Sequence, residues 1–376
     1  MGDAAKSERR ILVLDGCRAL AILSVMAFHY TVRWAPPADP DAHLASGALF
    51  ADVWPLYFGW AGVELFFVIS GFVIFLTLEN TTSARDFIVR RFARIWPALI
   101  VATVITASVV LAIGPADWRV NAYDFVDSIL LVGPNVIARV LHFQVKYVDG
   151  AYWSLWVEVR FYVLAVAMYY ATRGKFLAFW TGLQLGAFAL SLVWPGELLD
   201  LFLFPRFLPY FTLGICIYKL YSGAERRVAL LGAGIAAGVI LFNALSGQFD
   251  NAPLGSAIEG ERLKFAAINL AIFALFWLFL TDSRITSVLA SRPVVRLGQA
   301  SYSLYLLHQN LGVTIIRVGI GLGLPYLAML PITISLIVGL AILMFDFVET
   351  PAKRAIVSAL SASTLGPTRP PAREQR

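Results

Sequence analysis

Charge and cysteine are what this chain has least of. Only 14% of its 376 residues are Asp, Glu, Lys or Arg, against 59% hydrophobic. That leaves too little polar surface for a water-soluble protein of this length. The two cysteines, Cys17 and Cys216, each fall in or at the end of an apolar run, which excludes a disulfide framework and a cysteine-based metal site. No cleavable leader is read either: MGDAAKSERR is short and polar, and the first apolar run has no small-residue cleavage site and contains Arg18. No internal repeat and no soluble second domain can be made out. The net charge of +6 does not by itself point to nucleic acid, because in a membrane protein the distribution of charge matters more than its sum.

What the chain has in quantity is apolar runs of about 20 residues, the length that crosses a bilayer core. Ten are predicted, at about 14–33, 56–78, 96–113, 152–171, 176–194, 203–221, 228–246, 264–281, 299–318 and 328–348. The fold class is therefore all-α, a polytopic integral membrane protein with both termini on one side. Twenty Lys and Arg residues fall in the segments on that side, among them Lys6, Arg91, Arg94, Arg227, Arg296 and Lys353, and six on the other. The asymmetry places both termini in the cytoplasm. Residues 1–355 form the transmembrane domain, and 356–376, ending in SASTLGPTRPPAREQR, form a cytoplasmic tail expected to be disordered. Pro115 to Gly150 is apolar in part, but Pro134, Arg139 and His142 interrupt it, and it reads as an outer segment with short amphipathic helices. His43 and His142 fall in outer segments and are expected to be exposed.

The polar residues inside the apolar runs carry the chemistry. Arg18 and His29, in LDGCRALAILSVMAFHY, are eleven positions apart, so on an α-helix they share one face at depths about 16 Å apart. Arg18 sits near the cytoplasmic interface, either as a snorkelling anchor paired with Asp15 or as a ligand contact. His29 lies in the outer half, out of easy reach of either interface, where a polar side chain marks a function. In ARDFIVRRFARIWP, Arg91 and Arg94 share a helical face. They serve as a topology signal and lipid contact, or as a clamp for a phosphorylated ligand. In DGAYWSLWVEVRFY, Glu158 is expected in the same outer half as His29, where it would orient the imidazole or form a structural pair; Arg160 points to the opposite side. Trp153, Ser154, Tyr302 and His308 are further candidates for lining a cavity, although interhelical hydrogen bonding also accounts for the polar helix ASYSLYLLHQN. Glu64 is the remaining acidic residue near a span, beside Gly62, Ser70 and Gly71, which read as close-packing positions.

The order of motifs LDGCRALAILSVMAFHY, GVELFFVISGFVI, RRFARIWP, YWSLWVEVRFY, SYSLYLLH and FVETP resembles the acyltransferase-3 family of membrane-bound O-acyltransferases, over about Leu14 to Arg354. The resemblance implies a ten-helix domain that takes an acyl group, commonly acetyl, from cytosolic acyl-CoA and places it on a hydroxyl of a carbohydrate or glycosylated acceptor. It implies that Arg18 and His29 match the family's arginine and histidine, that Arg91 and Arg94 bind acyl-CoA with Arg18, and that Glu158 supports His29 as general base. A covalent acyl-imidazole on His29 is the variant. No bound cofactor or metal is expected, since acyl-CoA is a substrate. The expected partners are acyl-CoA, the acceptor and the bilayer, with no nucleic acid, and the expected location is the bacterial cytoplasmic membrane. Where family members often read WSLxVExQFY, this chain carries Trp156, Val159 and Arg160, and no segment reads as the extracytoplasmic esterase-like domain of some members. The competing reading is a proton-coupled secondary transporter, although no paired interrupted helices in matching halves are evident.

Overall fold

The computed structural model describes residues 3–35, 50, 52–172, 174–247, 259–281 and 284–364; His43 and the tail from residue 365 lie outside them. Among the described residues every regular element is helical. α1 (Asp3–Phe28) runs into a π-helical turn, His29–Arg33. α2 (Trp54–Tyr57) and a 3-10 turn, Phe58–Ala61, lead into α3 (Gly62–Glu79), followed by α4 (Ala84–Ile113). Two short helices, α5 (Ala122–Leu130) and α6 (Pro134–Leu141), fill the outer segment without crossing, and a 3-10 turn, Gly150–Tyr152, enters α7 (Trp153–Ala171). Then come α8 (Phe176–Val193), α9 (Glu197–Leu203), α10 (Leu208–Ser222), α11 (Arg226–Ser246) and α12 (Glu259–Leu280). The chain closes with α13 (Arg292–Gln299), α14 (Ser301–Leu307), α15 (Asn310–Gly321), α16 (Tyr326–Met344), a second π turn, Phe345–Glu349, and α17 (Thr350–Thr364).

Among the described residues, eight stretches are helical, long and apolar enough to cross a membrane, and they coincide with eight of the ten predicted spans. The two others are the most polar. α7 carries Glu158 and Arg160, and the predicted span 299–318 is interrupted between Leu307 and Asn310. Two boundaries also differ. The helical segment holding Arg91 and Arg94 is not separate from the span predicted from 96: α4 is continuous over 30 residues from Ala84, about 45 Å at 1.5 Å per residue. Ser83 starts it by accepting the Asp86 N–H. At the other end of the chain, α17 continues to Thr364, past the expected tail boundary at 355.

α3 and α10 lie backbone against backbone. A Cβ added to Gly214 would stand 2.0 Å from the Val68 carbonyl oxygen, and one on Gly71 would stand 2.2 Å from that of Phe211. Small residues are what permit such an approach. Cys17 on α1 and Cys216 on α10 are both free and buried. Val193, Trp194, Leu231, Trp277 and Phe347 project outward, as lipid-facing positions do.

The interruption between α14 and α15 positions the site. Hydrocarbon offers backbone groups no partners, and here side chains replace the helical ladder. Asn310 N–H donates to Asp149 Oδ2 at 2.8 Å, and the Asn310 side chain donates to the Val148 carbonyl. Tyr30 donates to the His308 carbonyl at 2.6 Å, and Tyr152 donates to that of Leu306. Asp149 Oδ1 also accepts from Ala151 N–H, starting the turn that enters α7. One buried carboxylate therefore ties the outer segment to the second half of the broken helix.

Burial of Asp149, opposed in part by its two N–H donors, pushes its carboxyl from 3.8 up to about 7. A folded state that holds the proton more tightly than the unfolded chain loses stability as pH rises between those two values. The expected outcome is that the melting temperature of the wild type, relative to Asp149→Asn, falls between about pH 4 and 7 and levels off above. Thermal unfolding of the detergent-solubilised pair across that range checks it.

Candidate functional site

Two cavities open beside α1. The inner one, of about 620 Å³, lies at the level of Arg18. The outer one, of about 470 Å³, lies at the level of His29. Val63 and Tyr305 line both, so only these side chains and their neighbours separate them.

The inner cavity is strongly basic. Arg18, Arg91, Arg94, Arg296, Lys353 and Arg354 line it, against the carboxylates of Asp15, Glu158 and Asp346. Arg18 pairs with Asp15 at 2.5 Å, the expected helical neighbour, and Arg296 pairs with Asp346. Arg94 is fixed by Glu349, a buried carboxylate that also accepts from Ser303 Oγ at 2.9 Å, and its guanidinium lies over the Tyr302 ring. Arg91 donates to Thr77 Oγ1, yet its buried Nε has no hydrogen-bond partner. Arginine forks held open in a partly enclosed space match the oxygens of a phosphate-bearing ligand. Asp15, Ser154 and Tyr302 line this cavity as expected; Ser154 shares a 2.7 Å hydrogen bond with Tyr305 OH, and Tyr302 donates to the Ile95 carbonyl.

Glu158 is here too, and this corrects the expected pairing. Its Oε1 accepts from Ser70 Oγ at 2.6 Å and from Tyr162 OH at 2.5 Å, and it faces Arg91 and Arg94 across the inner cavity rather than His29. α7 enters from the outer segment, and Glu158 lies deep enough along it to pass the wall. Arg160 points away, as its position two residues on requires, and donates to the carbonyls of Asp200 and Leu201 at the end of α9.

His29 opens the π turn and lines the outer cavity with Arg33, Trp34, Trp60, Glu64, Trp153 and Arg206. Trp153 is thus on the outer side, not beside Ser154. The partner of His29 is His308: Nδ1 of the one and Nε2 of the other are 2.8 Å apart. His308 is fully buried and lines neither cavity, contrary to expectation. Its Nδ1 lies 2.7 Å from the Tyr305 carbonyl oxygen. A carbonyl can only accept, so the neutral His308 carries its proton on Nδ1 and accepts on Nε2. His29 must then donate through Nδ1, which leaves the lone pair on its Nε2 available as a base. The chain Tyr305 carbonyl, His308, His29 does for this imidazole what Glu158 was expected to do.

The residues that sequence reasoning missed are Glu349, Ser70, Tyr162, Arg296 and Lys353. FVETP contains Glu349 as an isolated acid in an apolar context, which was the available signal. Its partner Arg94 lies 255 positions away, so spacing could not pair them.

Comparison with known proteins identifies the family. The acyltransferase-3 domain family matches residues 11–346. The chain is 24% identical to the peptidoglycan O-acetyltransferase OatA of Listeria monocytogenes, over 93% of this chain and 56% of that protein. It is 26% identical to the "Putative O-acetyltransferase SACOL0978" of Staphylococcus aureus, over 42% of this chain and 24% of that one. It is also 34% identical to the "Putative peptidoglycan O-acetyltransferase YrhL" of Bacillus subtilis, over 26% and 13%. The chain thus spans about half the length, or less, of these relatives. No solved structure matches. With the family match covering most of its length, the chain belongs to the acyltransferase-3 family.

Proposed function

We propose that the chain moves an acetyl group from acetyl-CoA, held at the inner cavity, to a hydroxyl of a carbohydrate acceptor in the outer cavity. The observation that carries this reading is the hydrogen-bonded pair His29–His308, with His29 on the outer cavity and His308 packed against Tyr305, which lines both cavities. A polyanionic CoA headgroup cannot enter hydrocarbon; the basic lining at Arg18, Arg91 and Arg94 offers it partners at the cytoplasmic end, and the thioester arm reaches toward Tyr305 and Val63. The acceptor comes from the opposite side.

His29 Nε2 takes the acceptor hydroxyl proton as its oxygen attacks the thioester carbonyl. The C–S bond then breaks, and the imidazolium returns the proton to the leaving thiolate, giving the ester and free CoA. His308 holds the reactive tautomer throughout. Glu158, bonded to Ser70 and Tyr162, serves the donor side by balancing Arg91 and Arg94 rather than the base. The names of the relatives support an O-acetyltransferase acting on a glycan, and the asymmetry of Lys and Arg between the two sides supports a cytoplasmic membrane with both termini inside.

Three outcomes are expected of protein reconstituted in nanodiscs or vesicles. His29→Ala lowers acetyl transfer by about 100-fold or more; unchanged turnover in that variant, or acceptor flux across vesicles without any CoA, would sink the assignment in favour of transport. His308→Leu lowers kcat about 10- to 100-fold with KM for acetyl-CoA unchanged, while His308→Gln, which keeps an acceptor for His29 Nδ1, retains most activity. Arg91→Ala raises KM for acetyl-CoA about tenfold, the equivalent of about 1.4 kcal/mol, read from initial rates at low salt.

A further inference from the structure

The transfer step leaves polar groups of the outer cavity unused. Glu64, in the first turn of α3, is 3% exposed, and its Oε2 has no hydrogen-bond partner. The indole Nε1 atoms of Trp60 and Trp34 are buried and unpartnered too. All three side chains line the cavity that holds His29. Unpaired buried polar atoms are uncommon and costly in native proteins, and three around one space call for a ligand that pairs them.

Local sequence explains how they come to stand there. In FGWAGVE the glycines let the turn press against α1: a Cβ on Gly59 would meet the Ser24 carbonyl oxygen at 2.2 Å, and one on Gly62 that of Ala21 at 2.3 Å. Trp60 and Glu64 are thereby held beside the helix that ends at His29, and Trp34 follows the π turn. Arg206 lines the same cavity and places a positive charge near Glu64.

The set offers one strong acceptor, two N–H donors and aromatic faces. A ring bearing several hydroxyls is its complement, because each hydroxyl both donates and accepts and the ring's C–H face packs on an indole. We propose that Glu64, Trp60 and Trp34 form a saccharide subsite in which Glu64 accepts a hydrogen bond from the ring hydroxyl next to the one His29 deprotonates. The placing of that second hydroxyl rests on the transfer reading above; the binding claim stands apart from it. Glu64 is here a specificity-determining residue and not a structural one. The buried Glu64 Oε2 without a hydrogen-bond partner is a cost the fold bears for its ligand, so the neutral, nearly isosteric Gln should not weaken the fold.

The test titrates the full chain in nanodiscs with chitotriose and with maltotriose, read by tryptophan fluorescence and saturation-transfer NMR. The expected result is saturable binding of at least one trisaccharide, weakened about 10- to 100-fold in Glu64→Gln and in Trp60→Phe. Acetyl-CoA affinity should be unchanged in both variants, and the melting temperature of Glu64→Gln should equal or exceed that of the wild type. The proposal is overturned if neither trisaccharide binds saturably, if Glu64→Gln binds as the wild type does, or if that variant melts lower and loses acetyl-CoA affinity as well. Trisaccharide binding with this dependence, but without acetyl transfer, would leave the subsite standing and remove the transfer reading instead.

Discussion

Hydrocarbon cannot solvate a backbone, so a helix may lose its ladder at membrane depth only where side chains take over every freed group. The interruption between α14 and α15 is answered by Tyr30 from the end of α1 and by Asp149 and Tyr152 from the turn that enters α7. This exchange sets the position of His308, and through it the proton placement on His29.

The division into two cavities separates two chemistries that would interfere in one space. The inner side gathers positive charge, with Arg94 anchored by Glu349 and Arg18 by Asp15, and suits an anion that must stay near water. The outer side is aromatic, with few charges, and its indoles and carboxylate suit an uncharged polar ring. The shared residues Val63 and Tyr305 make the barrier about one side chain thick, which is short enough for a group to pass between ligands bound on either side.

Much of this was legible in the sequence because membrane spans announce themselves by length and apolarity. Arg18 and His29 could be placed relative to each other because one helix carries both, and Arg91 and Arg94 because they are a single turn apart. What failed was everything that depends on the register between helices. Glu158 was set beside His29 by its distance from the outer end of α7, yet it bonds to Ser70 and Tyr162 on the inner side. Glu349 and Arg94 meet across 255 positions. The span predicted from 96 left out the turns that carry Arg91 and Arg94 because their charge marks an interface, whereas α4 runs through them and they face a cavity inside the bundle.

The π turn at His29–Arg33 has a geometric consequence for the whole outer wall. A widened turn takes in more residues than an α turn, and each α-helical residue corresponds to about 100° of rotation. The extra residue shifts the helical phase, so everything after His29 is aimed as though the strip of sequence had been wound one notch further. Arg33 and Trp34 reach the outer cavity on that shifted phase, while Arg18 keeps the original one. The first helix thus works as a crankshaft with two throws, serving a basic chamber at one end and an aromatic one at the other from a single continuous rod.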